Sequence, residues 1–435
     1  MRSLGGCPLR PSMDLRFARY VDRWIGYAIC FVLWAFGRML GVARGRTIVP
    51  PLLGTTPPRS GARPEPPRRV LAIKFYGLGN VALILPTLAA LHEAGVAEID
   101  FLTLPGNAEL LRRSGLVREV ISVRVESVAA FARSVALLFR LLWRGRYDAV
   151  LDFEQFMKLS GIFAFLTRAP ARIGFNTEGQ ARGWLYSHRV AYADTDHMAD
   201  IFLRLAAPLG IGKAAHGPGL EIDDDDRSRL DARLGEAGAG RGDGGRPLIA
   251  MHVGTGPNYD KIALKRWPPE RFAALADALI VRHGASVVFT GVGPEESALV
   301  AAVLAAMHQR ERAASLCDRL GIGELLALLR ACALVISNDT SVMHLCGLVG
   351  TPVVAFFGPT APRSYGPRGP RDIVFWQGLY CSPCLSNYNL KMSRCVDPVC
   401  MRLIEVPDVL ARIEASELLA GPAGMTPGQG RGVGA

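Results

Sequence analysis

Short apolar runs alternate with longer stretches of helical periodicity along this 435-residue chain, and this alternation constrains its fold more tightly than any other feature. The runs of the first half are residues 70–75, 99–103 and 149–153. Helices are predicted between and after them, at residues 81–91, 128–142 and 158–166. Apolar runs of this length are typical of strands that are buried on both faces of a parallel sheet. The pattern therefore predicts an α/β fold built from βαβ units.

The same alternation returns in the second half of the chain. Strands are predicted at residues 247–253, 285–290, 334–337 and 352–357, and helices at 269–282, 295–307 and 324–331. Because a single core rarely grows to 435 residues, two α/β domains are expected, with ligands at the carboxyl ends of their strands. Six segments are predicted along the chain. The first three are a basic segment with an apolar helix (1–47), a proline-rich linker (48–69) and an N-terminal domain (70–222). The last three are an acidic and glycine-rich boundary (223–245), a C-terminal domain (246–415) and a flexible tail (416–435).

The positive charge of the chain is concentrated at its start. Residues 1–69 contain 12 Arg and no Lys against three acidic residues, so they carry +9 of the total net charge of +11. The remainder is nearly balanced, which argues against a nucleic-acid-binding surface on the folded domains. The basic segment is instead predicted to face an anionic membrane surface.

An uncharged apolar run at residues 24–37 lies inside this basic segment. The run is shorter than the roughly 20 residues that a bilayer span requires, which favours a helix in the interface with Trp24 and Trp34 as anchors. A single membrane span and a helix docked on the protein are the alternatives.

Polar residues follow the strand predicted at 334–337. Asp339, Thr340 and Ser341 are residue types that cap helices, so a helix is expected to begin near Asp339, with N–H groups that suit a diphosphate. His344 lies one turn further along the same face. A simple helix cap with a core histidine is the alternative.

Two further strand ends carry candidate ligand-binding residues. Thr255 and Gly256 follow the strand at 247–253, and glycines allow backbone N–H groups to approach an anion. Lys265 precedes a helix and is a candidate to reach the same anion, although a solvated Lys265–Arg266 pair is equally compatible with the sequence. Glu295 or Glu296 is a candidate for ribose hydroxyls, or an ordinary acidic residue at a helix start.

In the first domain, Gly77 and Gly79 lie between a strand and a helix but lack the third glycine of a dinucleotide fingerprint. Glu154 follows the strand at 149–153 and is a candidate general base, with a surface carboxylate as the alternative. Arg172, beside Gly174, is a candidate to bind an acidic acceptor.

Four cysteines fall within 20 residues near the end of the second domain, at Cys381, Cys384, Cys395 and Cys400. The first pair has the C-x2-C spacing of structural zinc sites, but the spacings that follow are not those of a standard second knuckle. Zinc, disulfides and reduced thiols therefore all remain open, and no metal is predicted for catalysis.

With these features in place, the chain resembles glycosyltransferase family 9, the lipopolysaccharide heptosyltransferase group. The resemblance is carried by residues 73–91, 265–276 and 334–359, and it extends over about residues 70–410. It implies a GT-B fold, in which two Rossmann-like domains face each other across a cleft, with the acceptor bound by the first domain and a nucleotide sugar by the second.

The resemblance also implies an activity and its site residues. Family members transfer heptose from ADP-heptose to lipopolysaccharide with inversion and without a metal, at the cytoplasmic face of the inner membrane. By position, Lys265 matches the residue that binds the donor phosphates. Asp339, Thr340, Ser341 and His344 match the motif at the diphosphate and sugar, and Glu295 or Glu296 matches the position that grips the nucleoside. Gly77, Gly79 and Asn80 match the acceptor-side loop.

Asn80 departs from the family pattern, which has an aspartate regarded as the base at this position. An amide orients a hydroxyl but cannot accept its proton. Three hypotheses follow: Glu154 supplies the base, a different acceptor uses another group, or the protein binds a sugar or glycolipid without turnover. An active glycosyltransferase with a relocated base is the preferred prediction.

Overall fold

The computed structural model describes residues 15–39, 46–48, 66–124, 134, 146–215, 219–239, 246–256, 262–389 and 391–419. The helix predicted at 128–142, most of the predicted linker and the predicted tail after residue 419 lie outside the described residues. The chain divides into two compact units, Met1–Glu221 and Ile222–Ala435, and each is described by itself.

The first unit is built on a seven-stranded sheet. Its strands are β1 (Arg46–Ile48), β2 (Arg69–Ile73), β3 (Glu98–Thr103), β4 (Glu119–Ser122), β5 (Ala149–Asp152), β6 (Ala171–Asn176) and β7 (His188–Ala191). They pair in the order β1-β7-β6-β5-β2-β3-β4, and every pairing is parallel. Ile73 of β2 lies opposite both Leu102 of β3 and Asp152 of β5. The segments after β2 and β5 therefore leave the sheet at the same edge.

Helices surround this sheet. They are α1 (Leu15–Met39), α2 (Leu78–Glu93), α3 (Ala108–Arg113), α4 (Lys158–Leu166) and α5 (Met198–Leu203), with 3-10 helices at Pro105–Asn107, Ala181–Leu185 and Arg204–Leu209. Leu71 and Ile73 of β2 pack with Val150 of β5 and Phe163 of α4 in one buried cluster. The sheet core thus reaches the carboxyl edge, where it supports the loops that follow.

The second unit repeats the arrangement with six strands. These are β8 (Leu248–His252), β9 (Ser286–Thr290), β10 (Ala313–Ser315), β11 (Leu334–Asn338), β12 (Val353–Phe357) and β13 (Ile373–Trp376). Their order is β10-β9-β8-β11-β12-β13, again with parallel pairings throughout. His252 lies opposite Thr290 and Ser337, so β8, β9 and β11 end level with one another.

The helices of the second unit begin with one that precedes its first strand. They are α6 (Asp224–Glu236), α7 (Pro269–His283), α8 (Pro294–Ala306), α9 (Ile322–Ala331), α10 (Ser341–Val349), α11 (Pro362–Tyr365), α12 (Val399–Arg402) and α13 (Val406–Ala415), with 3-10 helices at Ile262–Lys265 and Arg310–Arg312. Trp267 stacks on Phe356 of β12 with ring centroids 4.3 Å apart and anchors the segment before α7.

The predicted α/β class is confirmed in both units, and each predicted strand lies within two residues of an observed one. Six observed strands were not predicted: β1, β4, β6, β7, β10 and β13. Four of these, β1, β4, β10 and β13, are edge strands of their sheets. Edge strands are covered less completely, so they need no continuous apolar run in the sequence.

The structure corrects the linker that the sequence predicts at residues 223–245, because the first half of it is helix α6. The Asp223 side chain accepts the N–H of Asp226, and the Asp226 side chain accepts the N–H of Asp223, so the start of the acidic run is a helix cap. Leu230 and Leu234 are buried, which makes α6 part of the second unit.

Helix α1 packs on the first unit along one face. Asp22, Gly26 and Cys30 are four residues apart and lie on the same side of the helix. The Asp22 carboxylate accepts the N–H groups of Lys158 and Leu159, each at 3.0 Å, and thereby caps α4. A Cβ on Gly26 would lie 3.2 Å from the Cβ of Lys158, so glycine allows this close approach. The predicted N-terminal helix is therefore built into the first unit.

The opposite side of α1 is exposed and apolar. Trp24 and Ile25 lie on this side, and so do Phe31 and Val32, which follow them by seven residues, or about two helical turns. Val32 is 62% exposed. None of the helices within the described residues combines the length and the apolarity needed to cross a membrane.

Candidate functional site

The donor-side residues meet in the second unit, where β11 ends. Lys265 Nζ lies 2.6 Å from Asp339 Oδ2, and the Thr360 hydroxyl donates to the same oxygen at 2.6 Å. Burial acts to raise the pKa of Asp339, but the charge of Lys265 and the hydrogen bonds from Lys265 and Thr360 outweigh burial and hold that pKa below its ordinary value. Asp339 is therefore an ionised carboxylate at neutral pH, fixed beside the lysine ammonium.

Helix α10 begins directly after this pair. Thr340 is its N-cap and accepts the N–H of Val342 at 3.3 Å, while Ser341 is its first residue. The helix thus starts two residues after the predicted position. Its N-terminus carries a partial positive charge and lies next to the ammonium of Lys265, an arrangement that favours an anionic ligand such as a diphosphate. His344 lies one turn deeper and is half-buried.

Glu296 ties the two glycine turns of the second unit together. Its Oε1 accepts the N–H of Gly256 at 2.7 Å, and its Oε2 accepts the N–H of Val292 at 2.8 Å. A Cβ on Gly254 would lie 1.9 Å from Oε1, so the contact requires glycine there. The N–H of Gly256, which was predicted to meet the donor, is consequently used within the protein.

Thr255 and Glu295 are joined through Arg266. The Arg266 guanidinium donates to Thr255 Oγ1 at 3.2 Å and pairs with Glu295 at 2.8 Å. The Thr255 side chain is buried, whereas the Glu295 side chain is 66% exposed. Of the two glutamates considered for the nucleoside, Glu295 is the one at the surface and Glu296 is the one that supports the loops.

Sequence reasoning missed two residues of this cluster. The buried Asn338 accepts the N–H of Trp267 at 2.9 Å and donates to the carbonyl of Val253 at 2.7 Å, so it fixes the Lys265 segment to the loop after β8. Lys391 adds positive charge near Asp339 and lowers its pKa further. Asn338 lies between the strand predicted at 334–337 and Asp339, but the sequence suggested no role for it, and no sequence signal indicated Lys391.

The acceptor-side loop lies in the first unit, after β2. Gly77 has a φ of +92°, which favours glycine, and helix α2 begins at Leu78. Asn80 therefore lies in the first turn of α2 and not in a loop. Its Nδ2 lies 2.8 Å from where a Cβ on Gly77 would be, so the amide folds back over this glycine.

Glu154 reaches the same loop from the end of β5. Its Oε2 accepts a hydrogen bond from Lys74 Nζ at 2.9 Å, and its Oε1 accepts the N–H of Phe75 at 2.8 Å and that of Tyr76 at 3.4 Å. Glu154 and Lys74 are both buried. Because its oxygens already accept three hydrogen bonds, this carboxylate is better suited to fix the loop than to receive a proton.

A buried network supports Glu154 from behind. The Arg182 guanidinium lies 2.6 Å from Asp152 Oδ2 and also donates to the carbonyl of Glu154. The Tyr186 hydroxyl donates to Asp152 at 2.6 Å, and its ring packs on Gly174, where a Cβ would lie 2.3 Å from it. Burial raises the pKa of Asp152, against the opposing effects of Arg182 and Tyr186.

Arg172 does not have the acceptor-binding position that the sequence predicts. It is buried near the start of β6, and its guanidinium donates to the carbonyls of Leu185 at 3.0 Å and Ala169 at 2.6 Å. Gly174 lies within the same strand. Arg172 therefore has a structural role at the sheet end opposite to the acceptor loop.

The structure shows Cys381, Cys384, Cys395 and Cys400 as free thiols. Burial, together with the other three cysteines nearby, raises the pKa of Cys400 to about 11. Within the described part of the chain, no group of three or more His, Cys, Asp or Glu side chains is arranged to hold a metal ion.

Two parallel α/β units, with a lysine and a helix N-terminus gathered at the strand ends of the second, fit the GT-B fold that the resemblance implies. The sequence model of glycosyltransferase family 9 (heptosyltransferase) matches residues 135–392. The chain therefore belongs to this family, as its motifs predicted, and is a glycosyltransferase.

Known proteins agree with this assignment. The chain is 27% identical over 309 residues to lipopolysaccharide heptosyltransferase 2 of Salmonella typhimurium. The aligned region covers 68% of this chain and 84% of that protein. A family 9 glycosyltransferase structure from Veillonella parvula superposes with a TM-score of 0.66 at 23% identity, covering 81% of this chain and 97% of the other. The structure of E. coli ADP-heptose lps heptosyltransferase II superposes with a TM-score of 0.62 at 21% identity, covering 81% of this chain and 98% of the other.

Proposed function

We propose that this protein transfers heptose from ADP-heptose to a lipopolysaccharide acceptor. The observation that carries this proposal is the Lys265–Asp339 pair at the N-terminus of α10, in a chain that belongs to family 9. The names of the relatives supply the donor and the acceptor: one is called a lipopolysaccharide heptosyltransferase, and another an ADP-heptose lps heptosyltransferase.

The proposed reaction is a single displacement with inversion. The oxygen of an acceptor hydroxyl forms a bond to the anomeric carbon, while the bond from that carbon to the diphosphate breaks and its electron pair leaves with ADP. Lys265 and the N-terminus of α10 stabilise the charge that develops on the diphosphate. They supply positive charge of the kind that a divalent cation supplies in other transferases, so we propose transfer without a metal cofactor.

The hydroxyl proton requires an acceptor, for which Glu154 is the candidate from the sequence. Its hydrogen bonds to Lys74 and to the Phe75 backbone support the competing hypothesis that Glu154 positions the loop while Asn80 orients the hydroxyl. The Glu154→Gln variant separates the two roles by its effects on stability and on turnover.

We further propose that the enzyme works at the cytoplasmic face of the inner membrane, held there by α1. The outward face of this helix presents Trp24, Ile25, Phe31 and Val32, and residues 1–69 carry a net charge of +9. Apolar side chains at the interface together with nearby arginines favour an anionic lipid surface. Sedimentation with anionic and neutral vesicles tests this, and the double variant Ile25→Ser/Val32→Ser is expected to remain in the supernatant.

A second candidate function is binding of a sugar or glycolipid without turnover. The observation in its favour is Asn80, because this amide stands where the family has a carboxylate. The two functions differ in one measurement: a binding protein shows a thermal shift with ADP-heptose but releases no ADP when lipopolysaccharide is added.

The decisive experiment for the enzyme measures ADP release from ADP-heptose with lipopolysaccharide as acceptor. Lys265→Met is expected to lower kcat by about 10²–10³-fold, since it removes a group that stabilises the leaving diphosphate. Lys213→Met, which changes an exposed lysine of the first unit, is the matched control and should leave kcat unchanged. Absence of both ADP release and a thermal shift with the wild type would overturn the proposal.

A further inference from the structure

A cavity of about 240 Å³ opens between helix α1 and the segment that follows β6. Tyr27 of α1 and Trp184 of the 3-10 helix form one side, with ring centroids 5.6 Å apart and planes at 72°. The segment from Asn176 to Ala181 forms the other side. Because α1 contributes one side, the cavity exists only through the docking of this helix on the first unit.

The lining of the cavity combines aromatic rings with hydrogen-bonding groups. Asn176, Glu178 and Gln180 contribute an amide, a carboxylate and a second amide, whereas the Thr177 hydroxyl is used within the protein. Among the described lining residues Glu178 is the charged one, so the cavity lacks the cations that a phosphate ligand requires. Aromatic rings beside planar amide and carboxylate groups suit a ligand with one apolar face and many hydroxyls, which describes a sugar ring.

Several contacts fix the shape of the cavity. A Cβ on Gly183 would lie 2.1 Å from Asn176 Oδ1, so the Asn176 side chain packs directly against the backbone of the 3-10 helix. Gly179 has a φ of +71°, which allows the chain to turn beneath the cavity. The Gln180 side chain accepts a hydrogen bond from Lys158 Nζ at 2.9 Å, which ties it to the start of α4.

The cavity is also connected to the acceptor-side loop. The Thr177 hydroxyl donates to the carbonyl of Gln155 at 2.6 Å, and Gln155 follows Glu154. The segment that lines the cavity continues from the carboxyl end of β6, which neighbours β5 in the sheet. The same helix that supplies Tyr27 presents Ile25 and Phe31 outward. The lining of the cavity is thus joined by one hydrogen bond to the residue after Glu154, and by Tyr27 to the helix that carries the exposed apolar side chains.

We infer that this cavity binds the saccharide part of the glycolipid acceptor, with the lipid part held in the membrane beside the outward face of α1. The inference rests on the proposed function, because it assigns a further subsite to the same acceptor. It makes α1 part of the acceptor site as well as a membrane-docking helix. Tyr27 contacts the apolar face of a sugar ring, and Glu178 accepts hydrogen bonds from its hydroxyls.

The test is binding of the lipid-free core oligosaccharide of lipopolysaccharide to the full chain, measured by titration calorimetry. Tyr27→Ala and Glu178→Ala are each expected to weaken this binding by about tenfold. Tyr27→Phe should retain most of the affinity because the ring remains. Tyr380→Ala, which removes a fully exposed tyrosine of the second unit, is the matched control and should bind as the wild type does.

Steady-state kinetics with intact lipopolysaccharide complete the test. Both cavity variants should raise the KM for the acceptor while leaving the KM for ADP-heptose unchanged, which also shows that they fold. The inference would be overturned if both variants bound the oligosaccharide as tightly as the wild type does. It would also be overturned if Tyr27→Ala weakened binding only of acceptor that is held in vesicles. In either case ADP release by the wild type would leave the proposed function standing, whereas its absence would remove both.

Discussion

Replacing Glu154 with glutamine tests whether this carboxylate anchors the acceptor loop or receives the proton of the acceptor. The side chains of Lys74 and Glu154 are 3% and 8% exposed, and Nζ lies 2.9 Å from Oε2. Removing one member of such a buried pair costs about 3–5 kcal/mol, because the charge of its partner stays buried. Glutamine keeps a carbonyl oxygen for the N–H of Phe75, so a loss of about 3 kcal/mol in the free energy of unfolding is expected.

Urea unfolding followed by circular dichroism measures this loss. With a slope of about 2 kcal/mol per molar urea, the midpoint should fall by roughly 1.5 M. The double variant Lys74→Met/Glu154→Gln removes both charges and should recover part of the stability. If Glu154 positions the loop, the double variant also recovers part of the turnover. Glu93→Gln, at an exposed carboxylate of the first unit, is the control and should stay within about 0.5 kcal/mol of the wild type.

Two results would contradict the anchoring role of Glu154. One is an unchanged urea midpoint for Glu154→Gln, which would show that the ion pair does not stabilise the unit. The other is wild-type stability combined with a fall in kcat of about 10²–10⁴-fold, which is the contribution expected of a general base. The second result would establish the proton-accepting role that the sequence predicts.

Three further predictions follow from the site. Asn80→Asp places a carboxylate in the first turn of α2, where the helix dipole favours it by about 0.3–1 kcal/mol, so thermal stability should be kept. If the enzyme lacks a base at this position, kcat should rise. An unchanged kcat would exclude this position as that of the lost base. Gly174→Ala should destabilise the protein by about 1–3 kcal/mol by displacing the Tyr186 ring, whereas Gly347→Ala, at an open helical position, should be neutral or stabilising by urea titration. Burial lowers the pKa of His252 below its ordinary 6.5, so the unfolded chain takes up this proton more readily. The free energy of unfolding should therefore fall by up to about 1.4 kcal/mol for each pH unit below pH 6.5. The fall should be less steep in His252→Gln. Urea midpoints of both proteins at pH 7.5 and 5.5 measure the difference.

The fold, and the sheet edge where the candidate donor residues come together, could be predicted from local sequence. Buried parallel strands need continuous apolar runs, and the polar residues that follow them must gather at one edge because the strands run in parallel. Asp339, Thr340 and Lys265 were found in this way, since strand end, helix cap and cation are each visible within a few residues.

The roles of several side chains could not be predicted, because each depends on partners that no local sequence pattern identifies. The sequence could not show that the Glu154 carboxylate pairs with Lys74, which is 80 residues away, and this pairing supports the hypothesis of a loop anchor. Arg172 is structural because it lies at the start of β6 and meets backbone carbonyls there. Glu296 supports two loops because Gly254 leaves room for its carboxylate.

The amino-acid sequence alone determined two α/β units, the glycosyltransferase family and the edge of each sheet that carries polar residues. The two units and the polar edges follow from periodicity, which acts over short stretches of chain, whereas the family follows from the resemblance carried by residues 73–91, 265–276 and 334–359. Tertiary structure alone decided which of those polar residues have their hydrogen bonds used within the protein, and that α1 packs on the first unit through Asp22 and Gly26. Many of these contacts join segments that are distant in the chain, with 136 residues between Asp22 and Lys158 and 80 between Lys74 and Glu154, so a single sequence carries no local signal for them.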